Sequence, residues 1–164
     1  MKIIGFAGWS GCGKTTLIEQ VIGLLRQRGL TVSLIKHAHH NFEIDHAGKD
    51  SFRHRQAGCG QVLVTSARRW ALMQELGDAP ELTLDEALSR LAPCDLVLVE
   101  GFKYASIPKI EIYRAALGKP QLFPGDSNFI AVVSDTAVDT SLPQLDINQP
   151  SAVAEFIALT ISGG

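Results

Sequence analysis

Gly8-Trp9-Ser10-Gly11-Cys12-Gly13-Lys14-Thr15, followed by Thr16, fits the pattern G-x-x-x-x-G-K-[ST]. Glycines at this spacing let successive backbone N–H groups turn inward on an anion. A helix that starts directly afterwards adds the partial positive charge of its N-terminus. In such a loop Lys14 reaches the outer phosphates of a nucleotide and the Thr15 hydroxyl ligates Mg²⁺. Gly8, Ser10, Gly11, Cys12, Gly13 and Thr16 complete the expected cradle. Cys12 reads more simply as a small residue filling a variable position than as a reactive thiol. A Mg²⁺ site needs a carboxylate opposite Thr15, and Glu100 ends the apolar run Leu96-Val97-Leu98-Val99. Lys14 and Glu100 are therefore the candidates for any phosphoryl chemistry, and no residue is assigned as catalytic.

Three further groups could do chemistry. His37, His39, His40, His46 and His54 lie close together in the chain, with Glu43 and Asp45 nearby. Imidazole and carboxylate suit Zn²⁺ or Ni²⁺. The spacing lacks the paired cysteines of structural zinc, so contact with phosphate or a partner, or a solvated loop, are the alternatives. Lys49, Arg53 and Arg55 form a second cationic group, in which Arg53 could supply transition-state charge as arginine fingers do. Asp135 follows a buried strand, where one carboxylate could accept both N1–H and N2–H of guanine. No N-K-x-D segment supports that reading, and Asp135 could equally cap the next turn.

The elements that must hold these residues follow from apolar periodicity. Lys2 to Ala7 is a short apolar run suited to a buried parallel strand. Leu17, Ile18, Val21, Ile22, Leu24 and Leu25 recur at helical spacing up to Gly29, which sits where a helix ends. Thr31–Lys36, Gln61–Ser66, Trp70–Met73, Asp95–Gly101 and Phe129–Ser134 read as strands. Lys109–Arg114 alternates apolar and polar residues as a half-exposed strand would, which makes it either a candidate edge for pairing between two copies or an ordinary covered edge. Short helices are expected at Asp50–Gly58 and after Thr83, and a longer one from Pro150, a residue tolerated in a first turn. Strands alternating with helices predict an α/β fold. The expected form is a three-layer α/β/α, P-loop NTPase-like domain over 1–164, with a mostly parallel, doubly wound sheet.

Composition narrows the class. The 164 residues are 46% hydrophobic and 20% charged, with a formal net charge of −2, so phosphate affinity must come from a local site and not a basic surface. No apolar run approaches the ~20 residues needed to span a bilayer, and the chain enters its first strand without a signal-peptide pattern. Cys12, Cys59 and Cys94 contain no C-x-x-C pair. Reduced thiols in a cytoplasmic protein are the expectation.

Taken together, several segments resemble the MobB family of molybdopterin-guanine dinucleotide biosynthesis adapter proteins. They are Gly8–Thr16, Lys36-His37-Ala38-His39-His40, Asp45 with Gly48-Lys49-Asp50-Ser51, Ala57-Gly58, Arg69-Trp70-Ala71-Leu72-Met73 and Val99-Glu100-Gly101-Phe102-Lys103. The resemblance covers nearly the whole chain. It implies a GTP-binding protein with weak hydrolysis that dimerises through an extended sheet. Such a protein assists the MobA guanylyltransferase in joining GMP to molybdopterin. By the same resemblance, Gly11, Gly13, Lys14, Thr15 and Thr16 hold phosphates and Mg²⁺, and Glu100 supports the metal. Asp45, Lys49 and the histidine loop match family positions around the nucleotide or pterin groove. A small-molecule kinase, with Lys49–Arg55 as its lid, and a metallochaperone GTPase, using His37–His46, are the competing classes. The first should consume ATP in proportion to an acceptor, and the second should bind metal tightly.

Overall fold

Lys2–Ala7 (β1) is the strand from which the main sheet grows on both sides. A computed structural model describes residues 1–38 and 42–163. The other strands of that sheet are Val32–Lys36 (β2), Leu96–Glu100 (β5), Lys109–Tyr113 (β6), Phe129–Ser134 (β7) and Gln144–Asp146 (β8). Their spatial order is β2-β5-β1-β6-β7-β8, and every pairing is parallel. Strands of a covered parallel sheet are buried on both faces and read as continuous apolar runs, as Leu96 to Val99 does. β1 pairs with β5 on one side and β6 on the other. The connections diverge at its C-terminal end, the point where α/β sheets bind ligands.

The helices are Lys14–Gln27 (α1), Asp50–Gln56 (α2), Leu84–Ser89 (α3) and Pro150–Ser162 (α4). α1 buries Leu17, Ile18, Val21 and Leu25, and α4 buries Val153, Ala154 and Ile157. Both stripes join Ile4, Phe6, Leu98, Ile110, Ile112 and Val133 in one core cluster. Gly29 and Leu30 close α1 by donating back to the carbonyls of Arg26 and Leu25, the paired bonds of a Schellman end. Asp95, before β5, accepts from the backbone N–H and hydroxyl of Thr31, locking the start of β5 to that of β2.

Contacts divide the chain into two compact units, Met1–His37 with Leu84–Gly164, and Ala38–Thr83. The second holds α2 and an antiparallel hairpin of Gln61–Thr65 (β3) and Trp70–Gln74 (β4), in which Leu63 faces Leu72. Ser66 makes the turn by accepting at its hydroxyl from the N–H groups of Arg68 and Arg69.

Lys109–Arg114 departs from expectation. It is neither half-exposed nor an edge, because β6 lies between β1 and β7, and Lys109 and Glu111 are 0% exposed. The alternation is real, but its polar face is covered by chain segments that satisfy the charges. Lys109 Nζ donates to the Lys103 carbonyl at 2.8 Å and pairs with Asp126. Glu111 accepts from the N–H groups of Leu122 and Phe123. The edge strands are β2 and β8, the latter too short to stand out by pattern.

Candidate functional site

The phosphate loop leaves β1 at Gly8, whose position is dictated by its neighbour. A Cβ there would lie 2.4 Å from the Ile112 carbonyl oxygen of β6, so only glycine lets the loop pass so close. Lys14 begins α1 and folds back over the loop, its Nζ donating to the carbonyls of Gly8 at 2.8 Å and Trp9 at 3.0 Å. Cys12 is buried, with its sulfur 3.7 Å from the same ammonium, and is a free thiol like Cys59 and Cys94. Ser10, Gly11, Thr15 and Thr16 are exposed, the last two in the first turn of α1.

Thr15 and Glu100 are brought together. The Thr15 hydroxyl donates to Glu100 Oε1 at 3.2 Å across 85 positions of sequence. Glu100 is not a solvated strand end: it is 7% exposed, and Lys36 from the end of β2 reaches its second oxygen at 3.3 Å. A hydroxyl and a carboxylate are hard oxygen donors of the kind Mg²⁺ takes, so the pair fits that ion. The Lys36 side chain is 54% exposed and can turn outward to free the carboxylate oxygen it holds.

The turn after Glu100 is shaped to aim it. Gly101 has φ +95° and Phe102 has φ +45°, two successive residues in left-handed conformations. A Cβ on Gly101 would come within 2.7 Å of the His37 Cβ. The His37 ring packs on Phe102 with centroids 4.5 Å apart, and the His37 N–H donates to the Glu100 carbonyl.

One residue that no motif marked braces the loop from the end of β6. Arg114 donates from Nε to the Cys12 carbonyl at 3.0 Å and from Nη1 to Asp135 at 3.1 Å. Asp135, read as either a guanine acceptor or a turn cap, steadies the loop through Arg114 whether or not its other oxygen meets a base. The signal for Arg114 was its place directly after a buried strand, beside Asp135 directly after another. What sequence does not disclose is that β6 and β7 are neighbours.

In the second unit the expected cationic group resolves differently. Arg55 is neutralised by Asp45, which it binds through Nε and Nη2, and by Glu43 and Glu75. Its guanidinium also lies 5.5 Å from the centre of the Phe52 ring. The hydrogen bond from Arg55 holds the Asp45 carboxyl below its ordinary range, and the three carboxylates raise the already high value of Arg55. Asp45 and Arg55 thus form an internal clamp. Arg53 is 75% exposed, with Asp50 at 3.9 Å, and Lys49 sits exposed at the start of α2. His39 and His40 lie outside the described residues. Among the described residues, no three His, Cys, Asp or Glu side chains converge to hold a metal.

A glycine loop between strand and helix, at the switch point of a parallel sheet and with a lysine and a hydroxyl–carboxylate pair around it, defines a P-loop NTPase-like α/β protein. The family model described as "Molybdopterin guanine dinucleotide synthesis protein B" matches residues 3–135, and the chain belongs to that family. It is 44% identical over 160 residues to the molybdopterin-guanine dinucleotide biosynthesis adapter protein of Escherichia coli (strain K12), covering 96% of this chain and 91% of that one. The adapter protein of the same name from Haemophilus influenzae is 42% identical over 158 residues, with coverages of 96% and 88%. The crystal structure of Bacillus subtilis MobB superposes with a TM-score of 0.75 at 27% identity, covering 96% of this chain and 97% of that one. No helix of the described residues is long and apolar enough to cross a membrane.

Proposed function

We propose that this chain is a GTP- and Mg²⁺-binding adapter. It assists the joining of GMP to molybdopterin by a MobA-type guanylyltransferase in the cytoplasm, and it works as a homodimer. The observation that carries the nucleotide part is the meeting of Thr15 and Glu100 beside Lys14. The printed names of the two relatives supply the pathway. In this reading the loop N–H groups and Lys14 hold the phosphates, and Thr15 with Glu100 would hold the metal. The metal's contribution is to offset phosphate charge. Lys36 sets how freely Glu100 is available. The sequence after Glu100 turns at Gly101 and Phe102, and offers no side chain in the role of a water-positioning glutamine. Slow hydrolysis is the corresponding expectation.

Lys14→Ala tests the site. The side chain bonds only to the loop, so the fold should survive, with a melting temperature near that of the parent. Loss of a charge-assisted contact worth about 1.5–3 kcal/mol should weaken GTP–Mg²⁺ binding by roughly 10- to 100-fold in calorimetric titration. Undiminished affinity in a folded variant would sink the assignment.

A further inference from the structure

Strand β6 carries a lysine and a glutamate with no exposed surface, an expensive choice for the middle of a sheet. Their partners show what they do. Lys109 reaches the Lys103 carbonyl and the Asp126 carboxylate, and sits 5.0 Å from the centre of the Phe129 ring. Glu111 accepts from Leu122 at 2.9 Å and Phe123 at 2.8 Å. The two buried charges fasten two separate loops, residues 101–108 and 119–128.

Each loop presents one lysine to the same ring. Lys103 Nζ lies 4.6 Å from the centre of the Trp9 indole and 5.1 Å from that of Tyr104. Lys119 Nζ approaches the same indole to 5.8 Å. Trp9 is a phosphate-loop residue, and its Nε1 donates to the Pro120 carbonyl at 2.7 Å, which ties the ring to the second loop. Among the described residues neither ammonium is ion-paired. An indole face attracts a cation weakly, and two ammonium groups within about 6 Å of one ring centre concentrate positive charge around Trp9. An anion bound there offsets that charge.

The geometry points to a second phosphate subsite beside the phosphate loop. It is formed by Lys103 and Lys119 with Trp9 as its base, and takes the phosphoryl group of a molecule other than the loop-bound nucleotide. The assignment rests on the nucleotide-binding reading above and adds the second substrate to it. A dinucleotide contains two phosphates bridged together, so its assembly brings a nucleoside phosphate beside a second phosphate-bearing molecule. A subsite next to the loop places the two anions near each other, and the lysines offset their mutual repulsion.

Inorganic phosphate is the probe, measured as bound phosphate per chain by equilibrium dialysis. One arm uses protein whose loop is filled with GDP–Mg²⁺, and the other uses Lys14→Ala protein without nucleotide. A saturable phosphate site that depends on Lys103 and Lys119 should persist in both arms, apart from any phosphate held by the empty loop in the second. Its Kd should rise about tenfold or more in Lys103→Ala/Lys119→Ala protein, with partial recovery in Lys103→Arg/Lys119→Ala. GDP affinity of the double-alanine protein should stay within about threefold of the parent. Three results would overturn the subsite: no phosphate bound in either arm, unchanged binding in the double-alanine protein, or phosphate lost on GDP loading. GDP affinity falling in parallel would assign the lysines to the nucleotide's own phosphates, which also overturns it. Parent protein that takes no GDP defeats the nucleotide reading by itself, while the Lys14→Ala arm still decides on the subsite.

Discussion

A buried ammonium is tolerable only with its partners in place, and Lys109 shows how closely it depends on Asp126. The Lys109 side chain is 1% exposed and that of Asp126 is 25% exposed. Chiefly through the hydrogen bond from Lys109, the Asp126 carboxyl is held down to about 2. A depressed carboxyl contributes stability that is present above its ordinary value of 3.8 and is lost as pH falls through about 2. Glu111 runs the other way: burial raises its carboxyl, so its contribution is greatest below 4.5 and declines as pH rises through the raised value. Asp126→Asn should therefore cost on the order of 2 kcal/mol at pH 7. That is less than breaking a fully buried pair, since Asp126 meets some solvent. The gap to the parent should narrow between pH 4 and pH 2, as followed by urea midpoints at each pH. A gap that stays constant through that range would mean that the pair is not the acid-sensitive contact.

At the scale of elements, the β5 turn shows how a short sequence sets a site. Glu100 meets Thr15 because Gly101 lets the chain double back against His37. Gly101→Ala places a methyl group against the His37 Cβ and a side chain in a left-handed conformation, which costs about 1–2 kcal/mol before any clash. A loss of roughly 2 kcal/mol in chemical denaturation is the expected result. A variant as stable as the parent would show that the β2 end yields freely. Much of this scale was legible beforehand. β1, α1, β5, β7 and α4 announce themselves by unbroken apolar runs or helical spacing. Lys109–Arg114 misled because alternation normally marks a solvent-facing strand, whereas here loops hydrogen-bond the polar face. Likewise Arg55 looked like a free cation because its carboxylates, Glu43, Asp45 and Glu75, are spread along the chain.

For the molecule as a whole, strand order is what sequence withheld, and with it the contacts of Lys36, Arg114 and Asp135. The hairpin β3–β4 forms a two-stranded sheet of its own, with Leu63 60%, Trp70 68% and Leu72 45% exposed. A two-stranded hairpin backed only by the short helix α2 within its unit is marginal in water, and apolar residues exposed on it favour cover by another chain. A second copy is the occupant that the homodimer proposal supplies. Leu63→Ser/Trp70→Ser should shift the sedimentation profile from dimer to monomer at micromolar concentration while GTP binding persists. A parent that sediments as a monomer, or a variant that stays dimeric, would remove the hairpin from the interface. The central place of β1 has a consequence for biosynthesis. Lys2 pairs with Leu96, and Gly5 with Lys109, so β1 finds its partners only after both of these later segments leave the ribosome. Until then α1 has no sheet to pack on and the phosphate loop has no β6 behind it. The phosphate loop is thus made well before it becomes able to hold a ligand.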